Sequence, residues 1–154
     1  MSHKDYHVVK IMRMPHTASL AGDLPLPEYQ SERAAGLDLL AAIPAAAPIT
    51  VEPGKRAMIP TGIALWLPAN IEGQVRPLPR SALSHGVTVL NAPYTLDGDY
   101  HGEVHVILIN LGADPFVVEH GTPIAQLVFA PFAQVSLQEA AAIEPSSPTP
   151  EALR

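Results

Sequence analysis

The sequence predicts an all-β domain built as an antiparallel β barrel or sandwich. Short apolar stretches alternate with Pro and Gly at close spacing, and the 154 residues include 17 Pro and 10 Gly. Hydrophobic residues make up 47% of the chain, which is enough to fill the core of one domain. We expect no amphipathic helix of useful length, because the nearest candidate, residues 137–142, is too short to be stable alone.

Nine strands are predicted from apolar runs that are bounded by turn residues. They span residues 7–14, 37–42, 49–51, 57–67, 74–77, 87–91, 103–111, 116–119 and 124–131. The strand at 103–111 begins with polar and apolar residues in alternation and then becomes continuously apolar, which is typical of a half-buried strand that continues into a buried interface. The Pro-rich run at 145–150 cannot propagate a helix or a sheet. We therefore divide the chain into a barrel, residues 1–132, and a divergent C-terminal tail, residues 133–154.

Composition excludes several classes of function. The chain has no Cys, which rules out disulfides and thiolate metal sites and is compatible with a reducing compartment. Its formal net charge of −6 argues against a nucleic-acid surface, although a nucleotide needs only a few local cations. No apolar run is long enough to cross a bilayer, and the first residues contain no signal-peptide core. We expect a cytoplasmic protein that binds neither nucleic acid nor membrane.

The segment 86–104 is the most informative part of the chain. Two β segments flank a turn-rich centre there, which predicts a hairpin with acidic and aromatic side chains at one end. A flat pyrimidine can insert into such a hairpin and bond to its backbone edges, with Tyr100 against the sugar and Asp97 accepting a proton from water. The simpler interpretation is a surface hairpin in which Asp and Gly only satisfy turn geometry.

Several stretches in series favour the functional interpretation, because they resemble motifs of the trimeric dUTP diphosphatase (dUTPase) family. Residues 35–39 resemble its first motif, the segment 86–104 its third and residues 121–127 its fourth. The resemblance covers roughly residues 8–132, and several motifs in order are far more specific than one. It implies a jelly-roll-type β barrel, the β-clip fold, that forms a homotrimer with active sites assembled from neighbouring chains.

The resemblance also implies a chemistry and the residues that perform it. The reaction is the hydrolysis of dUTP to dUMP and diphosphate with Mg²⁺ as cofactor. Asp97 would position and deprotonate the attacking water, and Asp38 would hold Mg²⁺ through water. The substrate would be bound by Asn91, by Tyr100 under the deoxyribose, and by Gln126 at the phosphates.

The chain departs from the family at the second motif, which in the family reads Pro-Arg-Ser-Gly-Leu. The usual spacing puts Leu78 and Pro79 at the positions of Arg and Ser. Moving the match by two residues restores Arg80 and Ser81 as phosphate contacts but makes the following turn two residues short. The first alternative removes a cation and a hydroxyl from the phosphate site, and the second keeps both but moves them. A second departure is Tyr94, where the family has a glycine close to the base.

The third departure concerns the tail. The family ends in a mobile glycine-rich segment that covers the phosphates, whereas this sequence has no Gly after Gly121 and no Phe after Phe132. We therefore expect an impaired dUTPase. Two alternatives remain open. One is a non-catalytic trimeric assembly scaffold, degenerate or engineered, that meets a second protein component; the other is a relative of dCTP deaminase.

Overall fold

The computed structural model describes residues 7–20, 22 and 24–140. Its elements, in chain order, are β1 (Lys10–Arg13), a 3-10 helix (Pro15–Ser19), β2 (Gly36–Leu40), β3 (Ile49–Val51), β4 (Arg56–Trp66), β5 (Ile71–Arg76), α1 (Pro79–His85), β6 (Val87–Val89), β7 (Tyr94–Leu96), β8 (Glu103–Asn110), β9 (Phe116–Val118) and β10 (Pro123–Pro131). All neighbouring strands that are hydrogen-bonded to each other run antiparallel. The predicted all-β class is confirmed, and all nine predicted strands are present with ends that differ by a few residues.

The strands form three sheets around one core. The sheet orders are β1-β4-β8-β6, β2-β10-β5-β7 and β3-β9. All three sheets contribute fully buried side chains to one cluster, among them Ile59 from the first, Leu127 from the second and Val51 from the third. Successive side chains of each strand point alternately to the core and to the outer face, which explains the period-2 pattern of the sequence.

The strand β8 alternates along its whole length. Val104, Val106 and Leu108 are buried, and the residues between them are half-buried. The predicted change from alternation to continuous burial is therefore absent in the single chain. The outer face is polar at Glu103 and His105 and becomes apolar at Ile107, which lies opposite Met58, a residue that is 62% exposed. Such a face is suited to contact with another chain.

Three elements were not predicted from the sequence: the 3-10 helix, α1 and β7. The helix α1 has Pro at its first position and ends at Gly86, which has a φ of 66° and donates its N–H to Ala82 O over 3.1 Å. No residue of α1 is buried, so it lacks the apolar stripe by which helices are recognised. The strand β7 is only three residues long, between Pro93 and Asp97.

The predicted hairpin in the segment 86–104 is partly correct. Strands β6 and β8 pair in antiparallel fashion, with Thr88 opposite Ile109. Their connection is more than a turn, since β7 lies within it and pairs with β5 of the other sheet. Because β6 and β7 are the end strands of two different sheets, each has one edge that pairs with no strand of the described residues.

The described part of the predicted tail contains no regular structure. Residues 133–140 form neither helix nor strand, and residues 141–154 lie outside the described residues. The helix considered at 137–142 is thus not formed over 137–140, and its last two residues are outside that range. Within the described residues, no helix is long and apolar enough to cross a membrane.

Candidate active site

A row of polar side chains crosses the outer face of the second sheet. Gln126 of β10 lies opposite Asp38 of β2 on one side and opposite Arg76 of β5 on the other. Directly opposed residues point to the same face, and this face is the outer one because the neighbouring Leu127 and Val75 are buried. Asp38 and Gln126 are half-buried and Arg76 is exposed. The row brings a carboxylate, an amide and a guanidinium together.

The amide of Gln126 is positioned by two neighbours. Its Nε2 donates to the carbonyl of Pro77 at 3.2 Å. Gly36 makes room for it, because a Cβ atom there would lie 2.5 Å from Gln126 Oε1. This contact gives a physical reason for the glycine in the stretch 35–39. Arg76, in turn, is bound along its own strand, since its Nε donates to Gln74 Oε1 at 3.0 Å.

Arg76 is the site residue that the sequence interpretation missed. It belongs to a stretch, 72–77, that supported the resemblance without being given a role. Its place beside Gln126 depends on the register between β5 and β10, which no local pattern reveals. A phosphate bound at Gln126 would lie next to this cation.

Asp97 and Tyr100 occupy the turn that follows β7. The backbone N–H of Tyr100 donates to the Asp97 carbonyl at 3.1 Å, and the Tyr100 hydroxyl donates to the Glu103 carbonyl at 2.8 Å. Tyr100 remains 40% exposed, and a Cβ on Gly102 would lie 2.7 Å from its hydroxyl oxygen. Within the described chain, the exposed Asp97 carboxylate makes no hydrogen bond. It borders an open cleft of about 530 Å³ next to Asn70 and Phe132 and is accessible to water.

Tyr94 lies on the inner side of the same segment. It is opposite the buried Val75 and shares a face with Leu96, so its ring packs against the core and is half-buried. Burial raises the pKa of the Tyr94 phenol, and the neighbouring Tyr100 and Asp97 raise it further. The ring therefore lies beside both predicted functional residues. Asn91, by contrast, is exposed in the loop between β6 and β7.

The predicted phosphate contacts Arg80 and Ser81 are not part of the polar row. Both lie in α1 and border a cleft with Thr122, at the start of β10. Among the described residues, no side-chain hydrogen bond joins Arg80 or Ser81 to Asp38 or Gln126. Leu78 and Pro79 begin the helix as its N-cap and first residue.

The candidate residues of one chain form two separate groups. Gln126 lies opposite Arg76, which is the last residue of β5. Asp97 instead shares a cleft with Ile71, which is the first residue of β5. The five residue-to-residue steps from Ile71 to Arg76 correspond to roughly 16 Å along a strand. A single chain therefore does not bring Asp97 to the polar row.

The comparisons identify the class of protein that has this fold. The structure of a mutant dUTPase from the S. aureus phage phi11, which shows the coordination of a structural Mg(II) ion, is similar to this one. The two align with a TM-score of 0.76 at 16% sequence identity, and the alignment covers 90% of this chain and 99% of the phage chain. The dUTPase of Staphylococcus bacteriophage 80alpha aligns with a TM-score of 0.76 at 18% identity and the same coverage. The fold is thus that of dUTPases, jelly-roll β proteins.

Sequence comparison then gives the family. The dUTPase family model matches residues 23–152. The deoxyuridine 5'-triphosphate nucleotidohydrolase of Methylocella silvestris is 54% identical over 136 residues, covering 88% of this chain and 82% of that protein. The enzyme of the same name from Rhizobium meliloti is 49% identical over 130 residues, covering 84% of this chain and 79% of that protein. The chain belongs to the dUTPase family.

The described side chains suit Mg²⁺ that is bound together with substrate phosphates rather than by a cage of protein ligands. Within the described residues, no three His, Cys, Asp or Glu side chains come together as a metal cage. Asp38 supplies a single half-buried carboxylate in the polar row. Mg²⁺ commonly keeps several waters and is bound by one or two carboxylates together with substrate phosphates. The residues present therefore fit an ion that arrives with a triphosphate.

Proposed function

We propose that this chain binds dUTP and hydrolyses it to dUMP and diphosphate. The observation that carries the proposal is the unbonded, exposed carboxylate of Asp97 beside the half-exposed ring of Tyr100. Relatives named as nucleotidohydrolases that are about half identical over most of the chain support the same reaction. They support a hydrolase in preference to the deaminase alternative. We also infer a cytoplasmic location.

The reaction requires one proton transfer and one displacement at phosphorus. Asp97 accepts a proton from water while the water oxygen bonds to the α-phosphorus, and the bond from that phosphorus to the bridging oxygen breaks to release diphosphate. The Tyr100 ring packs under the deoxyribose, where a 2'-hydroxyl would collide with it. Asn91 binds the nucleotide from the loop before β7. Asp38 would hold Mg²⁺ through water, and the ion would neutralise phosphate charge when bound.

The polar row would bind the phosphates. Among the described residues, the Gln126 amide makes one long bond, 3.2 Å to Pro77, which leaves its second N–H to donate to a phosphate oxygen. Arg76 places a cation next to it. Donors that are already oriented stabilise developing charge without reorganisation, which is usually the largest contribution to catalysis.

The complete site would be formed in a homotrimer. The separation of Asp97 from Gln126 within one chain supports a site completed by a neighbour. We expect central contacts through residues 106–111 and 124–131, where exposed apolar residues such as Leu111, 68% exposed, would be covered. Light scattering at micromolar concentration should give the mass of a trimer. A monomer would contradict this assembly.

Turnover should be well below that of a family member with an intact second motif. Leu78 and Pro79 offer neither a cation nor a hydroxyl to phosphate, and loss of one such donor typically costs about 10²- to 10³-fold in rate. The half-buried Tyr94 ring also narrows the space beside Tyr100. We take the register that keeps the usual spacing, which puts Leu78 and Pro79 at the positions of Arg and Ser.

The direct test is diphosphate release from dUTP and Mg²⁺ by the purified protein. Asp97→Asn should abolish the activity, whereas Asp114→Asn, which changes an exposed carboxylate in the loop between β8 and β9, should retain it. Chelation of Mg²⁺ should also abolish it. Activity of Asp97→Asn equal to the parent would refute the assigned water activation. With dCTP, ammonia release would favour the deaminase instead.

A further inference from the structure

The side chain of Glu103, the first residue of β8, is almost enclosed, with 10% of it exposed. Acidic side chains are rarely buried to this degree unless they are paired. The backbone carbonyl of the same residue accepts the Tyr100 hydroxyl at 2.8 Å. The carboxylate itself takes no part in the proposed reaction. Its bonding partners therefore indicate what it does for the neighbouring turn.

One bond of the Glu103 carboxylate goes to an irregular stretch of β4. Between the pairs that β8 makes with Pro60 and with Ala64, β4 uses four residue-to-residue steps where β8 uses two. Such a bulge leaves backbone groups outside the strand ladder, and those groups need other partners. Gly62 lies in the bulge with a φ of 72°, and its N–H donates to Glu103 Oε1 at 2.8 Å. The carboxylate thus completes the hydrogen bonding of the bulge.

A second contact of the same carboxylate is with the 3-10 helix. His16 Nε2 lies 3.0 Å from both carboxylate oxygens of Glu103. An ionised carboxylate only accepts hydrogen bonds, so the imidazole is the donor. His105 Nε2 lies further away, 3.8 Å from Oε2. Met14, the residue before the 3-10 helix, donates its N–H to the Gly62 carbonyl at 2.8 Å. Glu103 therefore joins β4, β8 and the 3-10 helix at one point.

The turn that carries Asp97 and Tyr100 ends where Glu103 is held. Just before that point, the His101 ring stacks on the Trp66 ring, with centroids 5.5 Å apart and an angle of 22° between the planes. Trp66 is the last residue of β4. The end of the turn thus contacts β4 at two places, through this stack and through the bonded carboxylate. Fixing one end of a turn restricts the positions that its side chains can take.

We propose that Glu103 is a positioning residue of the dUTP site. Its carboxylate fastens the end of the turn to the bulge of β4 and to His16, and so holds the Tyr100 ring and the Asp97 carboxylate in place. Hydrogen bonds to an ionised carboxylate are about twice as strong as neutral ones, which makes the attachment rigid. The inference rests on the proposed function, because that function gives Asp97 and Tyr100 their roles.

The test compares Glu103→Ala with Glu103→Gln in the full-length protein. Glu103→Ala removes the acceptor of the Gly62 N–H and should lower kcat for dUTP about tenfold or more, because a displaced Asp97 no longer places the water. It should also weaken dUMP binding several-fold, measured by calorimetry. Glu103→Gln keeps an acceptor oxygen and should return both values close to those of the parent. Glu52→Ala, which removes an exposed carboxylate before β4, is the matched control and should change neither.

A spectroscopic measurement reports the position of the turn without any turnover. Trp66 is the only Trp in the chain, so the tryptophan emission of the protein reports its stack with His101. The emission should change in Glu103→Ala and stay as in the parent in Glu103→Gln. Circular dichroism checks that the variants are folded. If Glu103→Ala does not fold, His16→Ala decides, because it removes one partner at an exposed position, and dUMP affinity equal to that of the parent would then refute the proposal.

Failure of this inference is distinguishable from failure of the proposed function. A parent that hydrolyses dUTP, with kcat and dUMP affinity unchanged in a folded Glu103→Ala, would leave the function standing and refute the positioning role, even if the variant were less stable. A parent that does not hydrolyse dUTP, but binds dUMP less tightly after Glu103→Ala and normally after Glu103→Gln, would refute hydrolysis and support the positioning of Tyr100. A parent that neither hydrolyses dUTP nor binds dUMP would overturn both.

Discussion

The Tyr100 hydroxyl is bonded to the carbonyl of Glu103, three residues further along the chain, at 2.8 Å. The Nδ1 atom of His105 lies 3.0 Å from the same carbonyl, so Glu103 keeps a partner if the hydroxyl is removed. The bond fixes the ring over Gly102 and so sets the surface that a deoxyribose would meet. This hydrogen bond and the contact with Gly102 together hold the Tyr100 ring.

Removing that hydroxyl should affect binding more than folding. Tyr100→Phe should lower the free energy of unfolding by about 0.5–1.5 kcal/mol, the usual worth of one hydrogen bond. The freed ring should weaken dUMP binding several-fold, measured by calorimetry. Tyr29→Phe, at a tyrosine that is 53% exposed, is the control and should change neither quantity. Unaltered dUMP affinity in Tyr100→Phe would show that the bond does not orient the ring.

Gly62 is required by both conformation and space. Its φ is 72°, and a Cβ there would lie 2.5 Å from Thr17 Cγ2 and 2.9 Å from Ala42 Cβ. Gly62→Ala should therefore cost about 2 kcal/mol or more in stability, measured by urea unfolding. Gly98→Ala is the control because no atom lies within 4 Å of its Cβ position, and it should stay within about 0.5 kcal/mol of the parent. Equal stability of the two variants would contradict the close contact between Gly62 and Thr17 of the 3-10 helix.

Asn110 is a fully buried polar residue at the end of β8 that bonds to strand β3 and to the loop after β8. Its Nδ2 donates to the carbonyls of Val51 and Asp114 at 2.8 Å each, and its Oδ1 accepts the Gly112 N–H at 2.9 Å. Asn110→Ala leaves three backbone groups without these partners, one of them in the buried Val51, and should cost about 3 kcal/mol. Asn91→Ala, at an exposed position, should cost less than about 0.5 kcal/mol. Thermal unfolding of both variants checks the difference.

The sequence predicted most of the fold, for a physical reason. Strands such as Ile49–Val51 are bounded by turn residues and expose one face, so their pattern is local and readable. Helix α1 buries nothing and β7 has three residues, so neither produces such a pattern.

The candidate site could be predicted from the sequence only in part. Asp38, Gln126 and Arg76 meet only because β10 pairs with both β2 and β5 in a particular register, which is a long-range property. The resemblance supplied Asp38 and Gln126 but passed over Arg76. Arg80 and Ser81, the phosphate contacts of the shifted register, border a cleft with Thr122, and their predicted role stays a prediction.

The raised pKa of the Tyr94 phenol predicts a pH dependence of stability. The folded state binds this proton more tightly than the unfolded state, whose pKa is near 10.0. The contribution of the protonated Tyr94 phenol to the free energy of unfolding is therefore fully present below pH 10.0, and it is lost as the pH rises through the folded-state pKa. Above pH 10.0, the free energy of unfolding should fall more steeply in the parent than in Tyr94→Phe. Phenolate absorbance should show one late-titrating tyrosine that this variant lacks, and identical titration curves would contradict the burial of the ring.

The same ring should control access of the base. Tyr94 packs inward beside Tyr100 and Asp97, in the space that a pyrimidine needs if it enters between the free edges of β6 and β7. Tyr94→Gly should therefore bind dUMP about tenfold more tightly than the parent, equivalent to about 1.4 kcal/mol, provided that circular dichroism shows a folded protein.

Two further measurements separate the ring from other causes of weak binding. Tyr94→Phe keeps the ring and should bind dUMP like the parent, because the obstruction is the ring and not its hydroxyl. A non-hydrolysable dUTP analogue should gain as much from Tyr94→Gly as dUMP does, since the phosphates lie elsewhere. If Tyr94→Gly bound both ligands no better than the parent, the ring would not obstruct the base, and weak binding would have to arise at Leu78 and Pro79, where the phosphate donors are missing.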